Sequence, residues 1–317
     1  MVSILKGEKH HGGILKTRGF LMDISSSSHT VPSPAKGLRG FLQRHALICY
    51  FVMAYGFSWL AWLPYVLGQD GLGLLPVRLT QLGSIPGAYL GPLLSGLLMM
   101  GAIEGKPGVG RLLRRLVQWR VGWQWYLLVL CGVPLITIAG LLALPGGEVA
   151  MHPVVSQIIW VFPLMLIVEI LTSGLAEEPG WRGFALPRLQ QKIGPLLGSV
   201  ILGILWQCWH LPLYLTDWGA GAGWSEICVA ILANIGLTIF ITWVFNHTRG
   251  SLFIAILLHA TLDAFGVAAA TGLFSIQWMQ QHGDRGLLLS FGTVALVLIV
   301  VTRGRLGYQR TSSESFE

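Results

Sequence analysis

Charge is what this sequence has least of. Only 11% of its 317 residues are Asp, Glu, Lys or Arg, where an ordinary soluble domain carries about 25%. With 53% hydrophobic residues and a mean hydropathy of +0.65, the chain has too little polar surface for water-facing walls. Cysteine is also scarce. Cys49, Cys131, Cys208 and Cys228 all sit inside apolar runs with no CxxC spacing, which excludes a disulfide framework and a zinc knuckle. No short apolar core followed by a small-residue cleavage site occurs before Phe41, so no secretory signal is read. There is no repeat at a fixed period and no soluble domain.

What is abundant fits a membrane. The 41 glycines and 13 tryptophans suit close helix approach and interfacial anchoring respectively. Residues 1–40 are polar and basic, as in "DISSSSHTVPSPAKG", and are expected to form a disordered tail; Met22 is a second candidate start. Eight apolar runs follow, at about 45–67, 80–103, 123–144, 154–177, 195–215, 226–245, 251–270 and 286–302. Each is near the roughly 20 residues that span a bilayer. The predicted fold is therefore an all-α, polytopic bundle of eight transmembrane helices around a buried polar cavity.

The few cations divide unevenly. Of 21 Lys and Arg, seven lie before the first run, five in the second loop, three in the fourth, one in the sixth and three after the last run; the intervening loops hold only Arg78 and Arg285. This asymmetry places both termini in the cytoplasm, as an even number of spans requires. It also accounts for the net charge of +7 without nucleic acid. In "GRLLRRLVQWRVGW", Arg111, Arg114 and Arg115 share one helical face and Leu112, Leu113 and Leu116 lie mostly on another. An amphipathic helix lying on the lipid interface is expected there.

Ionisable groups inside spans are costly and mark functional sites by default. Here they are Glu169, Glu177, Glu178, Arg182, His210, His259 and Asp263, with Asn234 as a polar addition. At 1.5 Å per residue, His210 lies roughly 22 Å from the cytoplasmic end of its span, His259 roughly 12 Å and Asp263 roughly 18 Å. Glu177 joins them at roughly 15 Å if its span runs on to Arg188. The expectation is one buried cavity that opens to the cytoplasm. His259 and Asp263 are spaced i,i+4, as are Glu178 and Arg182, so each pair shares a helical face. Pro179 lacks an N–H and predicts a kink. With Glu178 taken by Arg182, Glu177 is the freer carboxylate. Glu169 is read as a packing residue, Asn234 as an interhelical hydrogen bond, and Trp206 and Trp209 as pocket walls.

A carboxylate beside two histidines in a semi-buried cavity suits water activation. Glu177 can take a proton from water, His210 can orient that water, and His259 with Asp263 can face an oxyanion. The same set, Glu177, His210, His259 and Asp263, can instead ligate a divalent metal such as zinc, with one position left for water. Spacing does not choose between them.

Three segments resemble a known family. "EEPGWR" (Glu177 to Arg182), "WQCWHLP" (Trp206 to Pro212) and "HATLD" (His259 to Asp263) resemble the EExxxR, FxxxH and HxxxN motifs of the CAAX protease and bacteriocin-processing (CPBP) intramembrane endopeptidases. Trp206 stands where Phe is usual and Asp263 where Asn is commoner. The resemblance covers about 155–270, leaving 41–150 as three spans with the amphipathic helix and 271–317 as the last span with a short tail. It implies an intramembrane protease, metallo- or glutamate-dependent, with Glu177 as general base and Glu178 as its neighbour. Arg182 would clamp the carboxylates, His210 would help activate water, and His259 with Asp263 would form the oxyanion or metal side. The implied partners are the bilayer and a membrane-anchored or lipidated peptide, at the cell membrane. The alternatives are a non-proteolytic immunity or scaffold protein of the same fold, and an ion-coupled transporter, for which repeated halves and paired broken helices are lacking.

Overall fold

The computed structural model describes residues 37–219 and 221–309. Most of the expected tail and the possible start at Met22 lie outside the described residues. Residues 37–40 of that tail belong to a helix, Gly37–Arg44. It is docked by Arg39, whose Nε and Nη2 donate to the carbonyl of Ile103 at 3.2 and 2.9 Å.

The protein is a multi-pass membrane helix bundle. Eight helical spans are long and apolar enough to cross a bilayer: Ala46–Leu67, Thr80–Leu116, Trp123–Leu142, Val155–Ile193, Pro195–Leu215, Trp224–His247, Leu252–Gly272 and Ile276–Thr302. They are numbered first to eighth below. The expected eight runs are all present. The fourth runs well past the predicted end at 177 because "WRGFALPRL" stays helical, and the eighth begins ten residues before the expected 286. No strand occurs among the described residues.

The sixth and seventh spans are the most enclosed. The sixth packs between the fifth and the eighth, the seventh packs along the fourth, the third lies against the eighth, and the second against the first and fourth. Lipid tails are as apolar as leucine, so close fit rather than hydrophobicity drives this assembly. Glycine supplies the fit. A Cβ on Gly236 would sit 2.8 Å from the backbone nitrogen of Gly292, and one on Gly180 would sit 2.3 Å from the carbonyl oxygen of Pro92 and 2.5 Å from the Tyr50 hydroxyl. The first span is tied to the fifth by polar groups that lipid cannot satisfy. Trp59 Nε1 donates to the Trp209 carbonyl at 2.9 Å, and Trp209 Nε1 donates to Ser58 Oγ at 2.7 Å.

Contacts between loops define two ends. At one end, Arg115 Nε reaches the Gly250 carbonyl at 2.8 Å, Gln118 Nε2 the Thr248 carbonyl at 3.2 Å, and Asn246 Nδ2 the Leu306 carbonyl at 3.0 Å and Gln190 Oε1 at 2.8 Å. With the Arg39–Ile103 contact, these join the described parts of the Lys/Arg-rich segments at one end. At the other, the Asp217 N–H donates to the Asp70 carbonyl at 2.8 Å, and His152 N–H to that of Leu273 at 2.7 Å. The backbone N–H groups of Thr80 and Leu79, with the Arg78 charge, hold the Asp70 carboxyl below its ordinary value. The partition read from charge is thus a partition in space.

The amphipathic segment departs from its expected form. It continues the second span past a kink at Gly105, which has φ +68°. Arg114 is exposed, but Arg115 turns inward and packs on the Phe245 ring at 5.0 Å. Its guanidinium finds backbone carbonyls there, which outcompete the lipid surface. Leu113 is exposed, and only Leu112 of the three leucines is fully buried.

Because the Gly180 site is walled by backbone, Gly180→Ala is expected to cost about 1–3 kcal/mol, the usual range for overpacking. Thermal unfolding in detergent would read this as a lowered midpoint, with a smaller loss for Gly266→Ala, where the Cβ position is open.

Candidate active site

The fourth span carries the first motif and is not a plain α-helix. Residues Leu175–Gly180 form α-helical turns between two wider, π-type stretches, Ile170–Gly174 and Trp181–Ala185. Pro179 removes one backbone donor here, as expected, and the wide turn after it takes up the misfit. Such insertions re-aim side chains and recur at functional sites. Here they turn Glu177 and Glu178 in different directions.

Glu178 faces inward and is fully buried. Its Oε1 accepts from Arg182 Nη1 at 2.7 Å and from His259 Nδ1 at 2.8 Å. Arg182 is also fully buried and lies over the Trp206 ring at 4.2 Å, a cation–π contact that compensates lost water. His259 Nε2 faces Asp263 Oδ2 at 3.3 Å, and its ring packs edge-on against Trp206 at 5.1 Å. Both His259 nitrogens therefore face carboxylate oxygens. A carboxylate only accepts, so a doubly protonated ring satisfies both.

Glu177 faces the cavity. Its Oε2 accepts from two indoles, Trp206 Nε1 at 2.6 Å and Trp181 Nε1 at 3.2 Å. That leaves Oε1 toward the space that Glu177 lines. His210 caps the helical part of the fifth span, where Pro195–Trp209 gives way to the tighter turn Leu211–Leu215. Its Nδ1 lies 3.1 Å from the Trp206 carbonyl. A carbonyl accepts, so Nδ1 carries the proton and Nε2 of the neutral ring is an acceptor. The ring stacks on Trp218 at 5.3 Å, with the planes 3° apart.

The cavity has a volume of about 1090 Å³ and is lined by Glu177, His210, His259 and Asp263 together with Glu169, Trp206, Trp218 and Asn234. The six expected site residues thus assemble into two groups: a chain that runs from the buried Glu178, Arg182 and His259 out to the half-exposed Asp263, and Glu177 with His210 on the cavity wall. Asn234 makes the expected interhelical bond, to the Gly203 carbonyl at 3.3 Å. Glu169 accepts from Thr172 Oγ1 at 3.2 Å and also lines the cavity.

Three expectations change. First, the cavity does not open toward the basic loops. Its outer walls are Gln81, Trp218, Glu226, Gln281 and Arg285, all from the end that holds Arg78 and Arg285. His210, roughly 22 Å from the basic end by residue count, terminates its helix near the other end. Second, the candidate ligands of the metal alternative, Glu177, His210, His259 and Asp263, are not gathered into one set. Among the described residues no three His, Cys, Asp or Glu side chains stand together as a metal-ligand group. His259 spends both nitrogens on carboxylates, and Glu177 Oε2 is held by indoles, so these residues do not fit a metal as placed. Third, Trp206 is more than a wall. It binds Glu177, covers Arg182 and carries His210 on its carbonyl, and Trp181 supplies the second indole. Trp181 was legible as the i+4 neighbour of Glu177, and Trp206 as the substituted Phe of its motif.

Comparison with known proteins bears on the segment that holds these groups. Residues 159–265 match the family model described as "Type II CAAX prenyl endopeptidase Rce1-like". This segment is similar to an Rce1-like domain. It contains every one of the six site residues. Among curated relatives, the CAAX prenyl protease 2 of Methanococcus maripaludis is 31% identical over 100 residues, which is 30% of this chain and 36% of that protein. The chain therefore matches little more than a third of that relative's length.

Removing one partner from the buried ion pair leaves the other charge stranded. Arg182→Met is expected to cost about 3–5 kcal/mol, the range for a broken buried pair. The double variant Glu178→Met with Arg182→Met is expected to recover part of that loss. Unfolding midpoints of the two variants in the same detergent would check the order.

Proposed function

We propose that the Rce1-like domain is an intramembrane endopeptidase that hydrolyses a peptide bond of a membrane-associated substrate, with Glu177 as the general base. The observation that carries this reading is the split between two adjacent carboxylates. Glu178 is locked to Arg182 and His259, whereas Glu177 keeps one oxygen toward a large, mostly apolar cavity that it shares with His210, His259 and Asp263. A network built for packing has no reason to hold the second carboxylate there.

The chemistry follows from the atoms. Glu177 Oε1 takes a proton from a water whose other hydrogen is accepted by His210 Nε2. The water oxygen bonds to the peptide carbonyl carbon, and negative charge grows on the carbonyl oxygen. His259 keeps both N–H groups on Glu178 and Asp263, so it lowers the cost of that charge through space, by its positive charge beside Trp206 on the cavity wall. The C–N bond then breaks, and Glu177 returns its proton to the leaving amine. Glu178, Arg182 and Asp263 hold His259 in place. No step requires a metal. Asp263 acts here as the partner of His259, which an Asn at the same position would also serve through its amide oxygen.

General bases contribute about 10²–10⁴ in rate, so Glu177→Gln is expected to lose at least the lower figure while folding normally. Asp263→Asn is expected to keep most activity, and chelation to leave it unchanged. The direct check is mass spectrometry of N- and C-terminal peptides from membranes of host cells carrying wild type or Glu177→Ala at matched expression. Termini present only with the wild type are the expected result. Identical termini, with the variant still complementing a null strain, would overturn the reading in favour of a non-proteolytic role. Loss of activity on chelation, restored by zinc, would return the metal-dependent mechanism.

A further inference from the structure

The position of the cavity mouth and its charge together say from where, and by what, the site is filled. The Lys/Arg-rich segments are bound to one another at one end of the bundle. That end is closed. Leu112 and Leu252 are buried there, and a Cβ on Gly183 would meet their side chains at 2.5 and 3.3 Å. The cavity's outer residues, among them Gln81, Trp218, Glu226, Gln281 and Asp284, come from the opposite end. Its lining is also acidic. Beyond Glu177 and Asp263 it includes Glu169, Glu226 and Asp284, five carboxylates against two cations, Arg285 and the positive His259. That arginine is already 3.4 Å from Glu226.

We infer that the site is loaded from the membrane face opposite the basic loops, and that its substrate is an apolar peptide segment flanked by positive charge. Under the charge rule for membrane topology that face is extracytoplasmic. Low-dielectric walls in which one sign of charge prevails concentrate ligands of the other sign; with Glu226 paired to Arg285, Glu169 and Asp284 do this for a cationic peptide. A cytoplasmic chain end would have to pass the packed layer of Leu112, Gly183 and Leu252. The inference takes its substrate class from the endopeptidase reading, but the side and charge of the mouth do not depend on catalysis.

The test is labelling. In a protein with Cys49, Cys131, Cys208 and Cys228 each changed to Ser, Gln281→Cys reports the mouth and Arg114→Cys the basic end. Intact host cells treated with a membrane-impermeant maleimide should modify Gln281→Cys and spare Arg114→Cys, with the pattern reversed in inverted vesicles. Modification of Arg114→Cys alone in intact cells overturns the proposed side. The protein is then purified into discs of uncharged lipid, with Glu177→Gln added so that peptide stays uncleaved. An apolar peptide flanked by lysines should slow modification of Gln281→Cys several-fold, and the same peptide flanked by glutamates should not. Equal protection by both, or none by the lysine peptide, overturns the proposed substrate charge. Protection without any cleavage by the wild type would sink the endopeptidase reading and leave this one standing.

Discussion

The structure turns on one oxygen atom. Glu178 Oε1 accepts from both Arg182 and His259, in the middle of a bundle whose surroundings are lipid and packed apolar side chains. A carboxylate or a guanidinium alone would be expelled from such a place. Paired through this oxygen, they join the fourth span to the seventh, and Trp206 brings in the fifth by lying over the arginine. The cost of breaking that junction fixes the three motif-bearing helices against one another. Glu177 is then placed by its chain neighbour rather than by partners of its own charge.

That arrangement separates two tasks that adjacent carboxylates would otherwise confuse. The chain of contacts from the buried Arg182 through Glu178 and His259 ends at the half-exposed Asp263. It holds a positive ring at the cavity wall. Glu177 is turned away by the irregular helix around it and held at one oxygen by two indole N–H groups. Neutral donors position a carboxylate without taking its charge, as a second arginine would. The wide turns on either side of "EEPG" thus set which way each carboxylate faces, and Gly180 fits where Pro92 and Tyr50 leave no room for a side chain.

Much of this was legible in the sequence. Eight apolar runs are eight spans, and the skewed Lys/Arg distribution is a real division between the two ends. The i,i+4 spacing of Glu178 with Arg182 became a fully buried contact, and that of His259 with Asp263 one at the cavity wall. What was not legible depends on helix rotation and on which end of a helix a residue terminates. Sequence spacing does not reveal π-type turns, so the opposite facing of Glu177 and Glu178 had only a proline as its clue. His210 reads as mid-span by residue count, yet it closes its helix beside the mouth. Arg115 reads as a lipid-facing charge on a regular helix, but the kink at Gly105 turns it onto Gly250 and Phe245. Tryptophan is read by default as packing, which hid the indole donors that hold Glu177.

The central claim is that Glu177 activates a water to cut a peptide bond inside the bundle. The most direct measurement incubates the purified protein, in lipid discs, with membrane peptides from its own host in ¹⁸O-enriched water. New carboxyl termini are then read by mass spectrometry. The account predicts fresh termini that carry the heavy isotope with the wild type and none with Glu177→Gln. Equal yields of labelled termini from both proteins would contradict it.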